Sequence, residues 1–193
     1  MPLIFPIASM QSAKRVCRYL ALIALLLQTG ALLAIEPVSK PLYEVKLEKD
    51  VVIRVRDNTL LYADIYRPAA EGEFPVLVAY APYQKDLDEI YPRPVYGWQS
   101  REMPEAAFFV PRGYVIARFD VRGVGRSEGK FDLLSEQGAE DAYDVIEWTA
   151  QQSWSSGKTS IGGGVGYYSI APWKAASLNP PHLTAMLSWE KRT

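Results

Sequence analysis

The sequence contains one cysteine and one histidine in 193 residues. Cys17 stands before an apolar N-terminal run, so a chain processed after that run would contain no cysteine. Disulfides, thiolate catalysis and cysteine–zinc sites are then excluded. His182 leaves one imidazole for acid–base chemistry near neutral pH, which restricts the catalytic mechanisms that the chain could support.

An excess of charge of either sign is also lacking. The sequence has 21 basic and 22 acidic residues and a formal net charge of -1. This balance gives no electrostatic reason to expect nucleic acid or an anionic membrane as a partner. The glycine clusters lack the full spacing of a phosphate-binding loop or a dinucleotide fingerprint, and we predict neither a cofactor nor a metal. A hydrophobic content of 49% in this length suits one domain with a real core.

The N-terminal segment has the layout of an export signal. Three cations within residues 14–18 precede the apolar run Tyr19–Leu27, and small residues follow. We therefore predict a signal peptide over residues 1–34, a domain over residues 35–193, and an exported protein that is periplasmic or extracellular.

An uncleaved anchor is the alternative, because Tyr19–Ile35 approaches the length of a short membrane span. A membrane partner is expected only in that case. Gln28, Thr29 and Gly30 interrupt this longer segment and favour export. Met10 is a second candidate for the true start beside Met1, since it opens a more usual signal sequence.

Strand and helix patterns alternate after residue 42, which predicts an α/β fold with a mostly parallel sheet. The patterns favour strands at Tyr43–Lys49, Val51–Val55, Leu60–Tyr66, Pro75–Tyr80, Tyr114–Phe119, Thr159–Gly162 and Leu183–Trp189, and helices at Pro104–Val110, Ser135–Gln151 and Tyr168–Leu178. The long loop Ala81–Met103 is a candidate for function. His182 precedes a strand, at the end of the sheet opposite to where ligands collect, and we interpret it as a surface or loop residue.

The segment Gly157–Trp173 has the layout of a nucleophile elbow without its serine. An apolar strand, several glycines and a helix form a turn whose apex would carry the nucleophile, and the apex here is Gly166. Gly125-Arg-Ser-Glu-Gly129 spells the elbow motif literally, but neither a strand directly before Ser127 nor a helix directly after it is predicted. We therefore interpret Ser127 as a loop residue.

Several segments together resemble the X-Pro dipeptidyl-peptidase and cocaine-esterase (CocE/NonD-type) family of α/β-hydrolases. They are Arg56–Pro68, Ala81-Pro-Tyr-Gln-Lys85, Asp120–Phe131, Glu136–Trp148, Trp154–Lys158 and Leu178–Leu183. They occur in the order that the family has and span about residues 43 to 189. The resemblance implies a partial α/β-hydrolase fold that stops after about the sixth main strand.

The resemblance also assigns candidate site residues. The family's glycine–x–serine–tyrosine turn falls on Gly164–Tyr167, with Gly166 at the nucleophile position. A count forward from Trp154 leaves one extra residue among the glycines, and neither alignment puts a serine at the apex. The side-chain oxyanion donor would be Tyr83, and the backbone N–H of Tyr167 the second donor.

The family's acid and histidine follow the nucleophile in the chain. The sequence ends at Thr193, so we expect a truncated, inactive member of a secreted serine acyl-hydrolase family. The full-length form would act on a small ester, amide or X-Pro peptide. A non-catalytic binding or interaction protein that reuses the fold is the alternative, and an enzyme that uses Ser127 or Ser160 is a third hypothesis.

Overall fold

The structure is a computed structural model that describes residues 39–86, 103–164 and 166–188. The predicted signal segment and most of the predicted loop after the third main strand therefore lie outside the described residues. Within the described ranges, no helix is long and apolar enough to cross a membrane.

One mixed six-stranded sheet organises the domain. Its strands are β1 Val45–Arg54, β2 Leu60–Pro68, β3 Phe74–Ala81, β4 Val115–Asp120, β5 Ser155–Gly163 and β6 Leu183–Ser188. They lie in the order β1-β2-β4-β3-β5-β6. The four strands β3 to β6 are mutually parallel, while β2 is antiparallel to both of its neighbours.

The two first strands predicted from the sequence are a single strand. Residues 43–49 and 51–55 were expected to be separate, but β1 continues through a bulge between Glu48 and Val51. Asp50 adopts a positive φ of 54° there, which an aspartate tolerates better than most residues. Lys49 and Asp50, whose polarity suggested a boundary between two strands, therefore form a bulge within one strand.

Helices cover the sheet on both faces. They are α1 Ala106–Phe109, which continues into the 3₁₀ turn Val110–Arg112, α2 Glu136–Ala150 and α3 Tyr167–Ser177. The Ser135 hydroxyl caps α2 by accepting the Gly138 N–H at 3.0 Å, and the acidic Glu136 suits the positive end of the helix.

The main core lies between the sheet and the pair α2 and α3. Val76 and Val78 of β3 and Ile161 of β5 pack there against apolar side chains of both helices, such as Ile146 and Ala175. The opposite face has a small cluster of Ala106, Val110 and Ile116 under α1. This arrangement directs the carboxyl ends of β3, β4 and β5 to one edge of the sheet, where ligands bind in open α/β folds.

Candidate active site

The turn from β5 into α3 is tight enough to require glycine at two positions. Gly166 lies directly before α3 with φ 62° and ψ -120°, a conformation that residues with a Cβ rarely adopt. At Gly162, φ is 145° and an added Cβ would lie 2.1 Å from the carbonyl oxygen of Leu187 in β6. The glycines therefore allow β6 to pass close to β5 and the chain to turn sharply into the helix.

The structure brings the three sequence-predicted site positions together. The Tyr83 hydroxyl, in the loop after β3, accepts the backbone N–H of Tyr167 at 3.2 Å. A Cβ placed on Gly166 would lie 2.8 Å from the same hydroxyl. The Tyr83 ring is held in place against the ring of Tyr168, with a centroid distance of 5.4 Å. A phenol and a backbone amide thus lie together at the turn, and both could donate to an oxyanion that replaced their mutual hydrogen bond.

Lys85 and Asp120 fix the loop that carries Tyr83. The backbone N–H of Lys85 donates to the Asp120 carboxylate at 2.7 Å, at the end of β4. The buried ammonium of Lys85 lies 3.0 Å from Asp64 in β2 and 2.8 Å from Asp50 in the β1 bulge. Burial disfavours the charge on Lys85, but hydrogen bonds to Asp50, Asp86 and Asp64 outweigh it and raise the pKa of Lys85.

The sequence analysis did not predict the contacts of Lys85 that hold the Tyr83 loop. The available signal was Asp64, a charged residue inside the strand pattern Leu60–Tyr66, because a carboxylate in a buried strand needs a partner. Burial also raises the pKa of Asp120 to about 6, although the Lys85 N–H and ammonium counteract that effect.

The two serines considered as alternative nucleophiles, Ser127 and Ser160, form hydrogen bonds away from the turn. The Ser127 hydroxyl donates to the Asp120 carbonyl at 2.7 Å and accepts the Tyr62 N–H at 3.0 Å. It lies in a loop, as predicted. Ser160 lies within β5 and donates to the Val76 carbonyl at 3.3 Å. Neither serine has an adjacent histidine, so neither resembles an activated nucleophile.

His182 lies far from the elbow. It occupies the turn before β6, where its Nδ1 is 2.7 Å from the Glu147 carboxylate and its backbone N–H donates to the same side chain at 3.1 Å. β5 and β6 run parallel, with Thr159 opposite Leu183 and Gly163 opposite Ser188. About 13 Å of strand therefore separates the level of His182 from the glycine turn. The prediction of a loop histidine at the opposite end of the sheet is confirmed.

A larger apolar cavity of about 750 Å³ lies on the α1 side of the sheet, between Phe108, Leu77 and Leu187. Tyr83, Gly166 and Tyr167 are not among its lining residues. The described part of the chain contains no cluster of three or more histidine, cysteine, aspartate or glutamate side chains that could hold a metal ion.

The strand order, the single antiparallel strand β2 and the glycine turn between β5 and α3 together define an α/β-hydrolase domain. A family model described as X-Pro dipeptidyl-peptidase (S15 family) matches residues 57–191. The chain belongs to this family.

Two relatives agree with that assignment. The cocaine esterase of Rhodococcus sp. (strain MB1 Bresler) is 35% identical over 127 residues, which are 66% of this chain and 20% of the relative. The crystal structure of a CocE/NonD family hydrolase from Staphylococcus aureus is 40% identical and has a TM-score of 0.67. The match covers 76% of this chain and 28% of that one.

An α-amino acid ester hydrolase at 21% identity, with a TM-score of 0.58, shares the fold. The match covers 80% of this chain and 28% of that enzyme. The chain thus spans less than a third of the length of each of these three proteins.

Proposed function

We propose that this chain is a member of a serine acyl-hydrolase family that does not itself hydrolyse acyl substrates. The observation that carries the proposal is Gly166 at the apex of the turn, where it provides no side-chain oxygen. Acyl transfer by a serine needs a hydroxyl to attack the carbonyl carbon, an imidazole to take its proton, and donors for the resulting oxyanion. Of these three parts, the residues that the structure describes at the turn supply only the candidate donors, the Tyr83 hydroxyl and the Tyr167 N–H.

The position of His182 supports the same proposal. Its imidazole is paired with Glu147 at the other end of β6, so it could not take a proton from a group at residue 166. We therefore expect that Gly166→Ser alone creates no hydrolase. The hydroxyl of Tyr83 would also have to move, because it lies 2.8 Å from the site of the new Cβ.

The test is covalent labelling with a fluorophosphonate probe, together with hydrolysis of nitrophenyl esters and of an X-Pro nitroanilide. We expect no labelling and no turnover above the buffer rate for the purified chain and for Gly166→Ser. A catalytically competent member of the family, treated in parallel, shows that the reagents work. Labelling that maps to Ser127 or Ser160 would instead establish the hypothesis of an alternative nucleophile.

A non-catalytic binding role for the same site is the second candidate. The phenol and the amide favour it, because they lie 3.2 Å apart and both could donate to a carbonyl or carboxylate oxygen that replaced their mutual hydrogen bond, without any chemical step. The substrate classes of the family, small esters, amides or X-Pro peptides, are then the candidate ligands. Binding of a proline-containing peptide that is lost in Tyr83→Phe would support this role, whereas equal binding by both proteins would exclude it.

Export of the chain is also proposed, from the cations in residues 14–18 and the apolar run Tyr19–Leu27. The test fuses residues 1–40 to a reporter enzyme that is active only outside the cytoplasm. We expect reporter activity, and its loss when the three cations and two leucines of the run are replaced by glutamate. A soluble, shortened reporter would indicate a signal peptide, and a full-length reporter in the membrane would indicate an anchor.

A further inference from the structure

A second, smaller cavity lies behind the glycine turn, on the α2 side of the sheet. It has a volume of about 220 Å³ and is bordered by Tyr80 of β3, Arg122 after β4, the start of α2, and the phenol-bearing residue Tyr167 of α3. Two exposed residues with opposite charges, Lys130 and Asp132, form its rim. Tyr167 therefore contributes to both sites, since its backbone N–H faces Tyr83 on the other side.

The hydroxyl of Tyr80 is the first sign of a ligand. Tyr80 is 2% exposed, and its hydroxyl oxygen has no hydrogen-bond partner. Burial raises the pKa of Tyr80; the carboxylates of Asp141 and Asp144 and the phenol of Tyr167 raise it further, and Arg122 lowers it. Tyr80 lines the cavity together with Arg122 and Tyr167. A buried hydroxyl without a partner is unfavourable, and an acceptor in the cavity would satisfy it.

The N-terminus of α2 is the second sign. This helix has 15 residues, and the Ser135 hydroxyl satisfies only the N–H of Gly138. The amides of Glu136 and Gln137, in the first turn, have no acceptor within the helix. Unused amides and the helix dipole favour an anion at this end.

The charges around the cavity leave one cation available. Arg122 is already neutralised, because it forms a bidentate pair with Asp141 at 2.8 and 2.7 Å and a further contact with Asp57 at 2.9 Å. Lys130 has no ion-pair partner among the residues that the structure describes. Asp132 is the one carboxylate on the rim, and its exposure to water weakens its repulsion of an anion inside.

We propose that this cavity binds a small oxyanion, a carboxylate or a phosphate, which accepts hydrogen bonds from the Tyr80 hydroxyl and the first turn of α2 and is attracted by Lys130. The volume restricts the ligand to a small one, since pockets for drug-sized molecules span about 300 to 1,000 Å³. The site is distinct from the glycine turn and does not depend on the absence of a nucleophile at residue 166.

The experiment titrates the purified full chain with inorganic phosphate and, separately, with acetate, each against chloride at matched ionic strength. Thermal unfolding and calorimetry report binding. We expect Tm to rise with the logarithm of the concentration of at least one of the two anions. A response to phosphate alone or to acetate alone supports the site and identifies its preferred ligand.

Tyr80→Phe removes only the hydroxyl. We expect this variant to be at least as stable as the wild type without the anion, because it loses an unpartnered polar group, and to bind the anion at least tenfold more weakly. Lys130→Gln, on the exposed rim, should weaken binding about fivefold and leave the fold intact. The matched control is Tyr114→Phe, whose ring packs against Phe109 away from the cavity, and it should bind as the wild type does.

Two results would overturn the proposal. One is that neither anion produces a Tm shift or a calorimetric signal, which would indicate that the cavity holds only water. The other is an anion response of equal size in the wild type, Tyr80→Phe and Lys130→Gln, which would indicate a general salt effect. Neither result concerns Gly166, so a failure of the anion-site proposal can be distinguished from a failure of the proposal that the chain does not hydrolyse acyl substrates.

Discussion

Replacement of Lys85 by methionine tests whether the charge cluster beneath the Tyr83 loop organises the candidate site. The Lys85 ammonium lies 2.8 Å from Asp50, 3.0 Å from Asp64 and 3.0 Å from Asp86. The side chains of Lys85 and Asp64 are fully buried, whereas those of Asp50 and Asp86 are 33% and 36% exposed. Methionine has a similar length and no charge, so the change removes the cation with little change in volume.

The loss of unfolding free energy in Lys85→Met depends on how well the remaining carboxylates are solvated. Water can solvate Asp50 and Asp86, but Asp64 would be a buried carboxylate without its cation. Removal of one partner of a buried ion pair typically costs about 3 to 5 kcal/mol. Since single domains have about 5 to 15 kcal/mol of stability, Lys85→Met should be marginally folded at best.

Urea unfolding followed by circular dichroism at pH 7 measures this cost. A second change, Asp64→Asn, should recover part of it, because the amide oxygen can still accept the Asp50 N–H that Asp64 accepts at 3.0 Å. Hydrogen exchange at the Tyr167 amide should accelerate in Lys85→Met as Tyr83 loses its support. A cost below about 1 kcal/mol, as for a surface ion pair, would refute the reasoning. So would a double variant that is no more stable than the single one.

Three further changes probe separate contacts. Gly162→Ala should destabilise the protein by about 3 kcal/mol in urea unfolding, because its Cβ would lie 2.1 Å from the Leu187 carbonyl oxygen at a φ of 145°. Ser127→Ala should cost about 1 to 3 kcal/mol by the same assay, because the Tyr62 N–H loses its acceptor and the Asp120 carbonyl its donor. Asp120 should make stability depend on pH, because burial raises the pKa of its carboxyl to about 6 from an ordinary 3.8. The folded state then holds a proton that the unfolded state has released. The unfolding free energy of the wild type relative to Asp120→Asn should therefore fall by up to about 1.4 kcal/mol per pH unit between pH 4 and pH 6.

Each of these has a result that would contradict it. For Gly162, it is an alanine variant as stable as the wild type. Gly157→Ala is the comparison that separates the two causes, because Gly157 also has a positive φ, of 74°, but its Cβ would meet only His182 at 3.8 Å. For Ser127, it is full stability in the alanine variant, whereas Ser127→Thr keeps the hydroxyl and should lose less. For Asp120, it is a stability difference from the asparagine variant that stays constant from pH 4 to pH 6.

The sequence patterns predicted the elements best where apolar side chains alternate or recur. Ser135–Gln151 and Tyr114–Phe119 correspond to α2 and β4 within one or two residues, since local burial defines both. The bulge at Asp50 was missed because its cause is not local. The Asp50 N–H donates to Asp64 and its carboxylate contacts Lys85, and no periodicity encodes such contacts.

Some residues of the candidate site could also be predicted from the sequence, whereas the contacts that support them could not. Tyr83, Gly166 and Tyr167 could be named in advance because the resemblance to the family assigned each of them. The structure places them after β3 and β5, parallel strands whose carboxyl ends meet at one edge of the sheet. The supporting contact between Lys85 and Asp120 depends on the side-by-side position of β3 and β4, whose last paired residues, Ala81 and Asp120, are far apart in the sequence. The position of an unpartnered hydroxyl such as that of Tyr80 follows only from three-dimensional packing.

The backbone of Gly166 shows how glycine at the proposed nucleophile position affects the stability of the turn. At φ 62° and ψ -120°, a residue with a Cβ carries strain of about 1 to 3 kcal/mol, and glycine carries almost none. A hydroxymethyl group at residue 166, which a serine nucleophile would require, is therefore also a group that would strain the turn. With glycine the turn carries little strain, and the helix and the Tyr83 contact are both present. The shape of the turn therefore does not depend on a nucleophile at residue 166, and glycine there favours the local stability of the turn.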